Sequence, residues 1–307
     1  MSTDFIKIER KKQPVKAGNV NNGTSSNSAL SPDTARLQRL HSQLLKYQET
    51  VRSSQLYHYI QTTIAKQVIN QPFAKKITKI RCLALGSPSQ DHAAMYQLAL
   101  LVILQKYLQV SDRDVSIYDP VFDEMDKELM GNSDDPSLGY TIEEQYSQKE
   151  DKSNNDITLY FLPHAPLSLT NVIISQNEPL LLLSNNIITH VDRLTKCQLF
   201  EKYPLISKFV TLVKEENVEL KEETEAQLKE SKEEKEGDGF ETFHTNKRKA
   251  NKRQRQNKFK LIEKELDYSS ISSYFNQRIT LWSFKKYETS GLWLNAFTDL
   301  SLHYVVE

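Results

Sequence analysis

The chain has 307 residues with 40 basic and 40 acidic side chains, so no global field draws nucleic acid or a membrane surface to it. Two cysteines, Cys82 and Cys197, are too few for a disulfide framework or a zinc knuckle. The N-terminal MSTDFIKIERKKQ lacks an apolar stretch of signal-peptide length, and no run approaches the roughly 18 apolar residues that cross a bilayer, so a soluble intracellular protein with no membrane partner is expected.

Residues 1–33, rich in Asn, Ser and Gly, bury too little surface to offset their ordering entropy and are expected to be a disordered tail. From Thr34 to about Asn70, Leu37, Leu40, Leu44, Leu45, Tyr57 and Ile60 recur at helical spacing, and Pro72 closes the helix. ITKIRCLALGS has the dense apolar character of a strand buried on both faces. Gly86 breaks it, and Ser87, Pro88 and Ser89 supply capping hydroxyls for a helix over about 90–108 with Asp91 in its first turn. That helix is apolar almost all round, as a crossover helix packed on a sheet would be.

VSIYDP is the second strand, and VFDEMDKELM a short helix stopped by Gly131 as its C′ residue. Thr141 and Ile142 begin an edge element, and a polar loop follows. ITLYFLPHAP is a third buried strand, a helix spans about 168–175, and LLLLSNN is the fourth strand. ITHVDRLTKCQLFEKYPLISKFV is expected to be helical and broken near Pro204, with strands at 279–284 and 291–305 forming an antiparallel edge pair. Strand and helix in alternation argue for an α/β fold with a Rossmann-like, doubly wound, mostly parallel sheet. One domain, 34–213 plus 261–307, is interrupted by a charged insertion at 214–260.

In such a sheet, ligands bind outside the carboxyl ends of the strands. Those ends carry Gly86 and Ser87, then Asp119, then His164 between two prolines, then Ser184, Asn185 and Asn186. Asp299, Ser301 and His303 come from the C-terminal segment. Gly86 permits a close turn into a helix N-terminus, which suits an anion, but one glycine in place of GxGxxG favours an ordinary βα turn. Asp119 ends the second strand where a ribose-binding acid sits, yet lies 33 residues after Gly86, against about 20 in the dinucleotide fingerprint; the alternative is simple turn chemistry. His164 is either a general base or anchor at the crevice mouth or a turn histidine. The seven histidines show no metal-binding spacing, so no metal site is expected, and there is no nucleophile elbow and no Walker loop.

The insertion opens with eleven acids and five lysines over 214–238 and ends in KRKANKRQRQNKFK, eight bases in fourteen residues. A solvated segment is the plain reading. The patch Lys247, Arg248, Lys249, Lys252, Arg253 and Arg255 also suits the nuclear-import machinery. Its single aromatic, Phe259, argues against a specific single-strand nucleic-acid site.

Five stretches taken in order, CLALGS with QLALLVIL, VSIYDPVFDEMDKELM, LYFLPHAP, LLLLSNN and AFTDLSLHYV, resemble the SRR-like family (sensitivity to red light reduced), and within it the fungal benomyl-resistance proteins. The resemblance covers about 77–200 and 279–305. It implies a cytoplasmic and nuclear regulatory protein acting through protein partners. The family's links are to light signalling and the circadian clock in plants, clock-gene expression and haem biosynthesis in animals, and microtubule-dependent growth in yeasts. The family pattern has Cys after the Pro-His, where this chain has Ala165, and Gly-Asn-Ser where it has Ser184-Asn185-Asn186. The thiol beside His164 would be the obvious nucleophile, and it is missing. The expected function is thus a non-catalytic or weakly catalytic regulatory module. The alternative is a methyltransferase-like enzyme holding S-adenosylmethionine, or another nucleotide, at the glycine after strand one and the acid after strand two.

Overall fold

A computed structural model of the chain describes residues 31–71, 75–131, 137–145, 156–215, 266–275, 279–284, 293 and 295–305. The order is α1 (Pro32–Arg52), α2 (Gln55–Ile64), β1 (Lys76–Leu83), α3 (His92–Leu108), β2 (Val115–Tyr118), α4 (Glu124–Gly131), β3 (Thr141–Ile142), β4 (Asp156–Leu162), α5 (Leu167–Gln176), β5 (Leu181–Asn185), α6 (Ile187–Val191), α7 (Lys196–Lys202), α8 (204–215), β6 (Ile279–Ser283) and β7 (Leu300–Val305). The fold is α/β, as the strand and helix alternation predicts.

The long first helix expected from spacing is two helices. Ser54 accepts the Tyr57 N–H at 3.1 Å, a hydroxyl cap that starts α2 where apolar spacing alone runs on. The helical part also begins earlier than Thr34, because Ser31 accepts the Thr34 N–H at 3.1 Å and Pro32 fits the first turn. The helical stretch expected over 188–210, broken near Pro204, is three helices, α6 to α8: α8 starts at Pro204 as expected, and a second break comes where Thr195 and Gln198 close a capping box that opens α7. Gly131 is the last residue of α4 rather than a residue beyond it. A Cβ there would come within 2.6 Å of Ile142, so glycine lets α4 approach β3.

The sheet has seven strands in the order β3-β2-β1-β4-β5-β7-β6. The first five are parallel; β7 is antiparallel to both β5 and β6. The chain builds outward from β1 to β3, then returns to β1's other side with β4. The topological switch point therefore lies between β1 and β4, where open α/β sheets hold ligands. Cys82, Phe161, Leu183 and Leu302 pair in one row, so the carboxyl ends of β1, β4 and β5 are level. Of the expected 291–305 strand, the described residues are extended over Leu300–Val305, while residues 295–299 turn at the sheet's end.

Strand alternation sends Ile80, Cys82, Leu159, Phe161, Leu181 and Leu183 into a core with α1 to α4. The opposite side chains, Tyr160, Leu162 and Leu182, pack with α5 to α8. Burying a Leu or Phe in either layer contributes about 1.5–3 kcal/mol. No helix lies between β3 and β4 among the described residues. Arg81, on β1, is 2 % exposed and reaches Ser116 Oγ at 3.0 Å, the Gln145 carbonyl at 3.0 Å and Glu143 at 3.2 Å. The buried arginine in this strand is thus held by polar partners on β2 and the segment after β3.

The segments on either side of the insertion are tied together. Tyr268 Oη lies 2.8 Å from Ser207 Oγ and accepts from Thr211 Oγ1 at 3.2 Å, and Lys208 donates to the Ile271 carbonyl at 2.8 Å. The chain leaves and re-enters the domain at one spot on α8. Residues 216–265, with the basic patch at 247–255, and the tail 1–30 lie outside the described residues.

Candidate functional site

After β1 the backbone is forced into two left-handed residues, Ala84 at φ +56° and Gly86 at φ +79°, around the buried Leu85. The first is an uncommon conformation for a residue with a Cβ, and such strain gathers at ligand sites. The Gly86 N–H donates to Asp119 Oδ2 at 2.8 Å, and Asp119 Oδ1 accepts the Val121 N–H at 3.0 Å. Glycine and acid are thus joined to each other across 33 residues of sequence.

The rest of this loop is held by two further acids. Ser87 Oγ donates to Asp126 Oδ2 at 2.6 Å, and the Ser89 N–H to Asp126 Oδ1 at 2.8 Å. Ser89 Oγ and Gln90 Nε2 both donate to Asp123 Oδ2 at 3.0 Å. The two acids also exchange backbone bonds, 2.8 Å and 3.1 Å, as a capping box opening α4. Asp126 is fully buried, and that burial raises its pKa against the pull of Ser87 and the Ser89 and Asp123 amides. For Asp123 burial also pushes upward, but bonds from Gln90, the Asp126 amide, Ser89 and the Met125 amide outweigh it and lower the pKa. The serines expected to cap α3 are occupied in this way. Asp91 caps α3 instead, accepting the Ala93 N–H at 2.9 Å.

His164 follows β4 in the Pro163–Pro166 turn and faces solvent. Crowding on its inner side lowers its pKa, opposed by two nearby charges, Asp299 and Asp91. The ring is therefore neutral at pH 7 and offers one donor and one acceptor nitrogen. Asn185 Nδ2 approaches the Ala165 carbonyl at 3.5 Å, while the buried Asn185 Oδ1 has no partner among the described residues. By alternation Asn185 shares the face of Leu181 and Leu183, the face on which α3 packs. Gly86, Asp91, Asp119, His164, Asn185 and Asp299 thus surround the switch point from α3, β2, β4, β5 and the segment before β7.

Three of the polar residues expected at the strand ends serve the sheet instead. Ser184, Ser301 and His303 are buried, with His303 inside β7 rather than at the strand ends. His303 Nε2 accepts the Ile187 N–H at 3.4 Å, its Nδ1 lies 3.4 Å from Ser184 Oγ, and the Phe209 ring lies tilted against it with centroids 6.1 Å apart. Burial lowers its pKa to about 4, against a backbone bond at Leu182 that raises it. Asn186 caps α6, accepting from Ile188 and Thr189. Antiparallel β7 brings only its start, Asp299, to the crevice.

Asp123 and Asp126 hold this loop although neither closes a strand. The signal was present in DPVFDEMD, where acids recur three and four residues apart behind a strand. Among the described residues no group of His, Cys, Asp or Glu is placed to hold a metal ion, and no helix is long and apolar enough to cross a membrane.

A model of the SRR1 domain matches residues 48–304. The chain belongs to the SRR1 domain family. It is similar to the SRR1-like protein of Drosophila melanogaster, 31% identical over 103 residues, which are 34% of this chain and 34% of that protein. It is also similar to the SRR1-like protein of Mus musculus, 24% identical over 146 residues, 45% of this chain and 57% of that protein. The chain thus aligns with between a third and just over half of the length of these relatives. No solved structure matches it.

Proposed function

We propose that this SRR1-domain chain is a regulatory ligand-binding module whose small-molecule site is the crevice between the carboxyl ends of β1 and β4. The observation that carries this is that His164, Asn185 and the start of β7 at Asp299 all come to the switch-point end of the sheet, where Asn185 Oδ1 has no hydrogen-bond partner among the described residues. The Pro163–Pro166 turn aims the histidine, and Ala165 stands where a nucleophilic thiol would make the site catalytic. The ligand sets the conformation of the β1–α3 loop, and protein partners read that state. On the family's links, the processes served are light or circadian signalling, haem biosynthesis and microtubule-dependent growth. Neither relative is fungal, so placement in the benomyl-resistance branch rests on the sequence motifs.

Thermal unfolding with S-adenosylmethionine, nicotinamide and adenine nucleotides, and haem tests the module. A ligand at a hundredfold excess over its dissociation constant adds about 2.7 kcal/mol. At least one should stabilise the protein and be recovered unchanged, and His164→Ala should remove the shift. No shift with any of them refutes the small-molecule site and leaves a protein-binding module.

A second reading, a methyltransferase-like enzyme, is favoured by the strand order, with one antiparallel strand inserted before the last position. Enzymes that use S-adenosylmethionine share this arrangement, although a fold hosts many functions. Turnover of S-adenosylmethionine in the presence of cell extract, lost in Asp119→Asn, would support it. Residues 247–255 we assign to nuclear import and the chain to cytoplasm and nucleus. Deleting 245–260 should move a tagged protein out of the nucleus, and an unchanged distribution discards the assignment. The bonds between 207–211 and 268–271 lie outside the deleted residues.

A further inference from the structure

We infer that the outer edge of β6 docks an extended, acidic segment of a partner protein, which adds a strand to the sheet. The inference stands apart from the crevice and names the surface by which a partner is held.

β6 (Ile279–Ser283) is the last strand of the sheet, and among the described residues nothing pairs with its outer side. Its pairing with β7 fixes which backbone groups are left over. The Phe284 N–H donates to the Leu300 carbonyl at 3.1 Å. The antiparallel register runs without a shift from Ile279↔Val305 to Ser283↔Ser301. Alternation therefore turns the backbone groups of Thr280 and Trp282 toward β7, and points the N–H and carbonyl of Leu281 and Ser283 outward. Thr280, Leu281 and Trp282 are half-buried and Ser283 is exposed, so the edge is open to an incoming strand.

Native sheets blunt such an edge with a very short strand, a proline, a charge or a bulge. The opposite edge follows that rule, because β3 has two residues and runs directly into Glu143 and Glu144. β6 has none of these devices within it. Its five residues, ITLWS, are uncharged, contain no proline or glycine, and include β-favouring Ile, Thr and Trp. The outward donors and acceptors of such a strand are what a peptide uses when it adds to a sheet edge.

The charge around the strand chooses the occupant. The sequence has no acid between Asp267 and Glu288, whereas Arg278, Lys285 and Lys286 flank β6. At roughly 3.8 Å per residue, covalent connection alone keeps Arg278 beside Ile279 and Lys285 within about 8 Å of Ser283. Two copies paired edge to edge would bring two sets of these cations together, which opposes self-association. A strand flanked by Asp or Glu meets opposite charge instead.

The test is amide hydrogen exchange by NMR on the full chain with two synthetic peptides, Glu-Glu-Val-Thr-Val-Thr-Val-Glu-Glu and its counterpart with lysine in place of each glutamate. The acidic peptide should slow exchange at Leu281 and Ser283 at least about tenfold and leave Trp282, already bonded to β7, unchanged. The lysine peptide should bind at least about tenfold more weakly at low salt. Ser283→Pro removes one outward donor at an exposed position and no bond to β7. It should weaken binding of the acidic peptide about fivefold, the effect of one hydrogen bond. Unchanged protection at Trp282 and Phe284 confirms the sheet in that variant, and the exchange pattern of the natural protein tests the inference without it. No slowing at Leu281 and Ser283 overturns the inference, as does equal binding of the two peptides or undiminished binding by Ser283→Pro. Slowing that appears in the protein alone as its concentration is raised also overturns it, and assigns the edge to a second copy of the chain.

Discussion

Lowering the pH from 7 to 5 should cost the folded protein about 2 kcal/mol through one residue, His303. Its side chain has no exposure and sits under Phe209, with both ring nitrogens directed at protein groups. Burial holds its pKa at about 4, whereas an unfolded chain protonates histidine near 6.5. Above pH 6.5 both states are neutral and the residue contributes no pH dependence. Below it the unfolded chain takes up a proton that the folded chain refuses. Stability therefore falls as pH drops, by about 2 kcal/mol at pH 5 and levelling near 3 kcal/mol below pH 4. Against a total of roughly 5–15 kcal/mol this is a large share. Urea unfolding at pH 7, 6 and 5, for the natural protein and for His303→Gln, isolates it. The variant is expected to start lower through lost packing but to lose about 2 kcal/mol less between pH 7 and 5. Asp123 and Asp126, shifted in opposite directions, titrate in both proteins and cancel in the difference. Parallel pH curves would refute the argument.

Glu143→Ala should lower the denaturation midpoint by the equivalent of about 3 kcal/mol, because it strands a buried guanidinium; its bonds to Ser116 and the Gln145 carbonyl remain, and a loss under 1 kcal/mol would mean that Arg81 is solvated. Asp126→Ala leaves Ser87 Oγ and the Ser89 and Asp123 amides without their acceptor and should cost about 3 kcal/mol. Hydrogen exchange at Ser89 should accelerate in the same variant, and an unchanged rate would show that the clamp does not hold the loop. Gly86→Ala meets both a φ of +79° and the Ala94 methyl at 3.2 Å. It should cost about 1–2 kcal/mol in thermal unfolding, and a neutral result would show that the loop relaxes.

Much of this was legible locally. The double-faced apolar runs at 76–83, 156–162 and 181–185 announce strands because a parallel sheet buries both sides of each. Helix ends set by a single hydroxyl, such as Ser54 and Thr195, were harder to read. There a hydrogen bond of about 1 kcal/mol overrides an apolar spacing that continues through it.

The sequence by itself determined which segments become strands, which polar residues close them, and that Gly86, Asp119, His164 and Asn185 belong to one edge. These follow from side-chain alternation and from the rule that parallel strands end together. Only the tertiary structure decided what those residues do. Asp119 and Asp126 meet a loop more than thirty residues behind them, and Asp299 comes to the same end of the sheet as His164 because β7 enters antiparallel beside β5. His303 was removed from the crevice by the same reversal. Strand direction and order are settled by burial summed over the whole sheet, a quantity that no short stretch of the chain contains.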